Sequence, residues 1–453
     1  MPAPLRQDWL GNPSTASSDA TVAGISHFTQ AFLGYDAGAG QILAVADADP
    51  GSTLANAYAA MLWLFMESPE GPPKAAPYLA RAEAAAAHAT PREQMAVAAI
   101  RAWADDDIAA ALAIGEQCAA EHPRELSIAK ATQYHFFNRG DAPGMLRVAN
   151  HVLAANPSLP YAHGLIAFAY EQCHMLPEAE AAARTAIDLQ RKEPWAQHAL
   201  AHVLLTQGRN AEARAFLADV SDTWTGLNSF MVTHNWWHTA LVMIEQGDAA
   251  AALDLFATQI WGVWKEYSQD QIGAVSLLAR LELAGVDVGN RWQDVADYLR
   301  VRVHDHVNPF LTMQYLYGLA RAGRPEADLL LDSARAYAAT APAHARAAWA
   351  EVTLPALEGL LAHARGDHAT AAARLLPTLP RMPELGGSHA QRDLFEQIVD
   401  DALIGSGRLA AAQNRLEQRR AGHPRSAPTL AKLAQIYRTM GLPHEAERLT
   451  RRT

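Results

Sequence analysis

WAQHALAHVLLTQGRNAEARAFLADVSDTWTGLNSFMVTHNWWH, residues 195–238, is the stretch on which the reading of the chain turns. It holds two pairs of histidines, His198 with His202 and His234 with His238, each four residues apart. Residues four apart share one face of an α-helix. Trp195, His198, His202 and Leu205 therefore form one stripe, and His234, His238, Leu241 and Glu245 another. Between them Gln207-Gly208-Arg209 stops a helix, and Ala211 to Ala218 starts the next. The spacing predicts a helix, a turn, a returning helix and a further helix. If such hairpins stack, the two histidine-bearing helices become neighbours and their imidazoles face one space.

The rest of the chain repeats this plan. Gly-Asp or Gly-Arg turns recur at Gly140-Asp141, Gly247-Asp248, Gly323-Arg324, Gly366-Asp367 and Gly407-Arg408, each followed by an Ala-rich run. His174-Met175-Leu176-Pro177 and Gly441-Leu442-Pro443 fill the same place. Glycine suits the left-handed residue that closes a helix. Turns of the other kind carry proline, as at His122-Pro123, Asn156-Pro157, Glu193-Pro194 and His423-Pro424. Successive turns fall roughly 34 to 43 residues apart, the range of helical-hairpin repeats. Strand-like alternation is missing, and Ala, Leu, Arg and Glu are good helix formers. The expectation is an all-α chain with no sheet. Residues 1–25 form an irregular lead-in, and a single repeat domain runs over 26–453.

These turns and their neighbours resemble the tetratricopeptide repeat (TPR), in which small residues beside the turn let paired helices approach. Ala167 and Ala179 fit those places within Tyr161–Leu189, and Ala201 and Ala213 within Gln197–Leu217. About ten hairpins stacked this way make a TPR-like α-solenoid curled around an inner groove or pocket. Four stretches are also similar to the tetratricopeptide repeat protein 38-like family. They are Trp195–Val203 with Gln207-Gly208-Arg209; His234-Asn235-Trp236-Trp237-His238; Gly285–Trp292; and Gly386-Gly387-Ser388-His389-Ala390-Gln391-Arg392-Asp393. The resemblance runs from about Arg92 to about Arg425. It implies the repeat fold more firmly than an activity. It also implies carboxylates or polar groups that this chain replaces with Leu205, Gly273 and Thr312-Met313-Gln314.

Bulk properties narrow the function. The chain has 453 residues and a net charge of -11, spread along its length, which argues against nucleic acid as a partner. Its two cysteines, Cys118 and Cys173, form no CxxC pair, so neither a disulfide framework nor a thiolate zinc site is expected. No signal peptide and no membrane-length apolar run is present, which predicts a cytoplasmic protein without a membrane partner. Homo-oligomerisation stays open.

The candidate site residues are Trp195, His198, His202, His234, Trp237, His238, His389, Arg392 and Asp393. Packed histidines bonded to neighbouring carbonyls are the plain alternative. The four central histidines are candidate acid–base groups. HxxxH can supply two zinc ligands, but no glutamate follows His198 and second-shell carboxylates are scarce, so no metal is assigned and any cofactor is unknown. Ser388 caps a helix whose first turns carry His389, Arg392 and Asp393, an arrangement that could hold an anion. Trp195 and Trp237 are candidate aromatic walls. The leading expectation is binding of a small aromatic or anionic molecule, or a short peptide, in a His/Trp-lined groove. The alternative is an enzyme, of hydrolase or lyase type, using the same pocket.

Overall fold

The computed structural model describes residues 5–450, and helix follows helix through nearly all of them. The turns explain why. At Gly208 (φ +67°) the chain enters the left-handed region, Gly208 N–H donates to the Leu205 carbonyl (3.0 Å) and Arg209 N–H to that of Leu204 (2.9 Å). Those bonds satisfy the last carbonyls of one helix and release the chain directly into the next. His174 (φ +57°) does the same without a glycine, its turn closed by Met175 N–H on the Tyr170 carbonyl (2.9 Å). The small residues beside these turns, Ala167, Ala179, Ala201 and Ala213, are completely buried, as close packing of paired helices requires.

The N-terminal expectation needs correction. Arg6–Gln7 and Pro13–Ser14 form a two-residue antiparallel ladder, and the first helix, Asp19–Leu33, begins well before residue 26. Charged side chains from later in the chain hold the ladder. Glu93 accepts from Ser14 Oγ (3.0 Å), Thr15 N–H (3.1 Å) and Thr15 Oγ1 (2.8 Å), and Arg92 donates to the Pro13 carbonyl (3.0 Å). Ser18 then caps the first helix by accepting from Thr21 N–H. Such long-range tethers leave no signature in local periodicity. The part of the lead-in before Leu5 lies outside the described residues.

The contacts group the helices into two compact units. The first runs to Leu200 and takes in Asp222–Met231; the second comprises Ala201–Ser221 and the chain from Val232. In the first unit Phe28, Tyr58 and Leu79 are fully buried. In the second the core runs through Trp237, Tyr315, Trp349 and Phe395. Here the hairpins depart from regular spacing. Phe256–Ile260 and Trp349–Thr353 are π-helical, and Leu376–Leu385 is a long 3₁₀ segment. Its prolines, Pro377, Pro380 and Pro383, recur every third residue, the period of a 3₁₀ turn. No helix among the described residues is long and apolar enough to cross a membrane.

Candidate functional site

The helix Pro194–Thr206 begins with Pro194, whose missing N–H costs nothing at a helix start. Glu193 accepts from Ala196 N–H there. Gln197 fixes the helix on the first unit: its amide donates to the Arg191 carbonyl (2.6 Å) and its oxygen accepts from Trp224 Nε1 (2.8 Å). In that unit Trp195 stacks on His198, with ring centroids 4.6 Å apart and planes 19° apart, and packs on Phe168 (4.5 Å) and Tyr35 (5.2 Å). His198 is buried. The Lys130 ammonium lies 3.4 Å from the centre of the Tyr35 ring. Trp195 and His198 are thus part of an aromatic group in the first unit.

The second unit gathers the other histidines. His202, His234 and His238 are all buried, and each offers a ring nitrogen within 4.8 Å of the others. The His202 and His238 rings are 4.5 Å apart, and those of His234 and His238 4.8 Å. His234 stacks on Trp237 at 5.2 Å with planes 10° apart. Burial holds His202 and His234 down to about 3, His202 adding to the effect on His234. Both imidazoles are therefore uncharged at neutral pH. Next to His234, the Asn235 side chain is buried, and neither end of its amide meets a hydrogen-bond partner among the described residues.

The Gly386–Asp393 segment turns the chain sharply through Gly386 (φ +90°) and Gly387 (φ +74°) and starts the helix His389–Gly405. Ser388 and Gln391 form a capping box there. This places His389 beside residues nearly two hundred positions earlier. Its Nε2 lies 2.9 Å from Thr206 Oγ1, and its ring meets His202 edge-on at 5.3 Å.

An open cleft of about 420 Å³ runs beside this junction in the second unit. His389, Arg392 and Asp393 line it together with Arg280, Glu245, Glu396 and Arg419. Leu205, Leu241, Ile244, Leu379 and Met382 are among its apolar lining. Asp393 accepts from Arg419 Nη2 (2.6 Å) and from Gln397 Nε2 (2.8 Å). Burial pushes its carboxyl up, but Arg419 and Arg280 outweigh burial and hold it below the usual carboxylate range. Burial brings Arg280 down to about 10, against the pull of Asp393. Arg280 donates to the Ala390 carbonyl (2.7 Å) and lies over the Trp237 ring at 5.3 Å. It connects the cleft to the Trp237–His234 stack. Arg392 donates to the Gly387 carbonyl, which braces the turn.

No protein-family model matches the chain. Solved structures with related helical content include a human IFIT1 dimer with PPP-AAAA, at 14% identity and a TM-score of 0.36 over 84% of this chain and 86% of that one. The P58(IPK) TPR domain aligns at 13% identity and TM-score 0.22 over 80% and 91%. Naa15/Naa10 bound to HypK-THB aligns at 14% and 0.25 over 80% of this chain, which spans about three-fifths (62%) of that chain. At these values the likeness carries no inference about a site.

Most of the cleft's charge comes from residues outside the sequence candidates. Arg280 ends the run Ser276-Leu277-Leu278-Ala279-Arg280 within a largely apolar helix. Arg419 lies in the polar run Glu417-Gln418-Arg419-Arg420, which looks like an ordinary solvated helix face. The replaced positions differ in role. Leu205 lines the cleft, Thr312 Oγ1 donates to the Asp305 carbonyl (3.0 Å), and a Cβ at Gly273 would meet nothing within 4 Å.

Proposed function

We propose that this helical-repeat protein is a divergent relative of the tetratricopeptide repeat protein 38-like proteins and binds a small amphipathic anion, an aromatic carboxylate or phosphate, in the cleft between Thr206 and Arg419. The observation that carries this reading is the makeup of the cleft. Five apolar side chains line it together with Arg280, Arg392 and Arg419 and with Glu245, Asp393 and Glu396. A hydrophobic ring can settle on the apolar side chains while a carboxylate meets a guanidinium. The volume suits a molecule of modest size, too small for a folded partner. His389, anchored by Thr206, adds a polar group whose orientation is fixed. Trp237 contributes through Arg280, which it supports from beneath.

The test is a double-mutant cycle measured by calorimetry with phenylacetate and phenyl phosphate. Arg392→Ala is expected to weaken binding about 10- to 100-fold, the worth of a charge-assisted hydrogen bond. His389→Ala is expected to weaken it less. The two losses should be coupled if both side chains touch one ligand. Additive losses, or wild-type affinity in Arg392→Ala, would remove the cleft as the binding site.

A further inference from the structure

Three imidazoles from two helices meet in the second unit, and this arrangement does something the cleft does not need. His234 and His238 project from one face of the helix Ser229–Glu245, one turn apart. His202 comes from the helix Pro194–Thr206 and completes the group. Their nitrogens already lie within 4.8 Å of one another. Four-coordinate zinc with nitrogen at about 2.0–2.1 Å needs its ligand atoms about 3.3 Å apart. Modest rotation of the rings about their χ angles covers that difference. A divalent cation could draw one lone pair from each of these three buried imidazoles.

A second group is less suited. His363 approaches His368 and Asp401, but its Nδ1 already meets Tyr317 Oη (3.1 Å) and its Nε2 meets Asp401 Oδ2 (3.1 Å). Lys432 also contacts Asp401 (3.2 Å). Those nitrogens are committed to a hydrogen-bond network.

We infer that His202, His234 and His238 form a binding site for a divalent transition-metal ion of the zinc class, with a water molecule or a ligand atom completing the shell. A three-histidine set with an open position is a recognised zinc arrangement. The inference stands apart from ligand binding in the cleft.

The experiment uses tag-free, chelator-stripped full-length protein titrated with Co²⁺, then with Zn²⁺ in competition. The expected result is one equivalent of Co²⁺ with the strong visible ligand-field absorption of a four- or five-coordinate site, lost as Zn²⁺ displaces it. His234→Ala/His238→Ala should weaken binding by about 100-fold or more, since even outer-shell changes cost 10- to 100-fold. His368→Ala, in the second group, should bind Co²⁺ like the wild type. A pale octahedral spectrum, equal binding by the double variant, or loss of Co²⁺ in His368→Ala would overturn the assignment. If the double variant fails to fold by circular dichroism, X-ray absorption of the zinc-loaded wild type decides. Imidazole scattering from three nitrogen ligands supports the site, and an oxygen-dominated shell refutes it.

Discussion

Asp393→Asn separates the two jobs assigned to the cleft. The substitution keeps the shape of the side chain and removes its charge. Asp393 and Arg419 are 2.6 Å apart, with side chains 32% and 21% exposed, and Arg280 lies close enough to add its own field. Removing one member of a fully buried pair costs about 3–5 kcal/mol. A carboxylate one-third exposed is partly screened, so about 1–3 kcal/mol is expected here. The loss should be local, because Asp393 is in the first turn and a half of the helix His389–Gly405 and Arg419 is on the helix Leu409–Gly422. Hydrogen exchange read by mass spectrometry on peptides from these helices should therefore quicken by about 5- to 150-fold. Ligand binding should move the other way. Three cationic and three acidic side chains line the wild-type cleft, so the variant cleft carries one net positive charge. A monoanion nearby gains about 1 kcal/mol, roughly 5-fold in affinity at low salt, and loses that gain as salt rises. Unchanged exchange together with unchanged or weaker phenylacetate binding would show that Asp393 neither braces these helices nor sets the charge of the cleft.

Three other perturbations test the structural account. Burial holds His135 down to about 3, so between that value and its unfolded value near 6.5 the unfolded chain binds more protons than the folded one; stability present above pH 6.5 should fall by about 1.4 kcal/mol per unit as pH drops. His135→Phe should flatten that slope in urea midpoints measured at pH 5 and 7, and an unaltered slope would exclude His135 as its source. Gly387→Ala would force a Cβ to within 2.6 Å of Phe310 Cε2 at φ +74°, costing about 2–4 kcal/mol in the midpoint of the second unit's unfolding; a loss under about 1 kcal/mol would mean that Phe310 moves freely. Gly273→Ala adds a methyl where no atom lies within 4 Å inside the helix Ser268–Leu283 and should raise thermal stability by about 0.5–1 kcal/mol, with a decrease refuting the open space.

The helical hairpins were legible because their signals are local. Gly208 closes a turn through its own backbone angle, and Ala201 and Ala213 are small where the paired helices meet, both properties carried by single residues. Ser388 as a cap was readable for the same reason. The ladder Arg6–Gln7 with Pro13–Ser14 was not, since Glu93 and Arg92 hold it from about eighty positions away. The site was legible in parts. Helical spacing puts His234 and His238 on one face, and the Gly386–Asp393 string points to His389 and Arg392. His389 meets Thr206 across 183 positions, and π and 3₁₀ segments lie between them in the chain, features that periodicity does not report. Arg280 and Arg419 both act on Asp393, Arg419 by direct contact and Arg280 by its field, and interactions across 26 or 113 positions leave no trace in the helical pattern.

The proposed function turns on the charge of a small amphipathic ligand meeting the arginines of the cleft. Ligand-detected NMR on the full-length protein, comparing phenylacetate with phenylacetamide and each against Arg392→Ala, measures that directly. The acid should bind the wild type at least about 10-fold more tightly than its neutral amide, and Arg392→Ala should abolish most of that preference. Equal binding of acid and amide, or the same preference in Arg392→Ala, would contradict it.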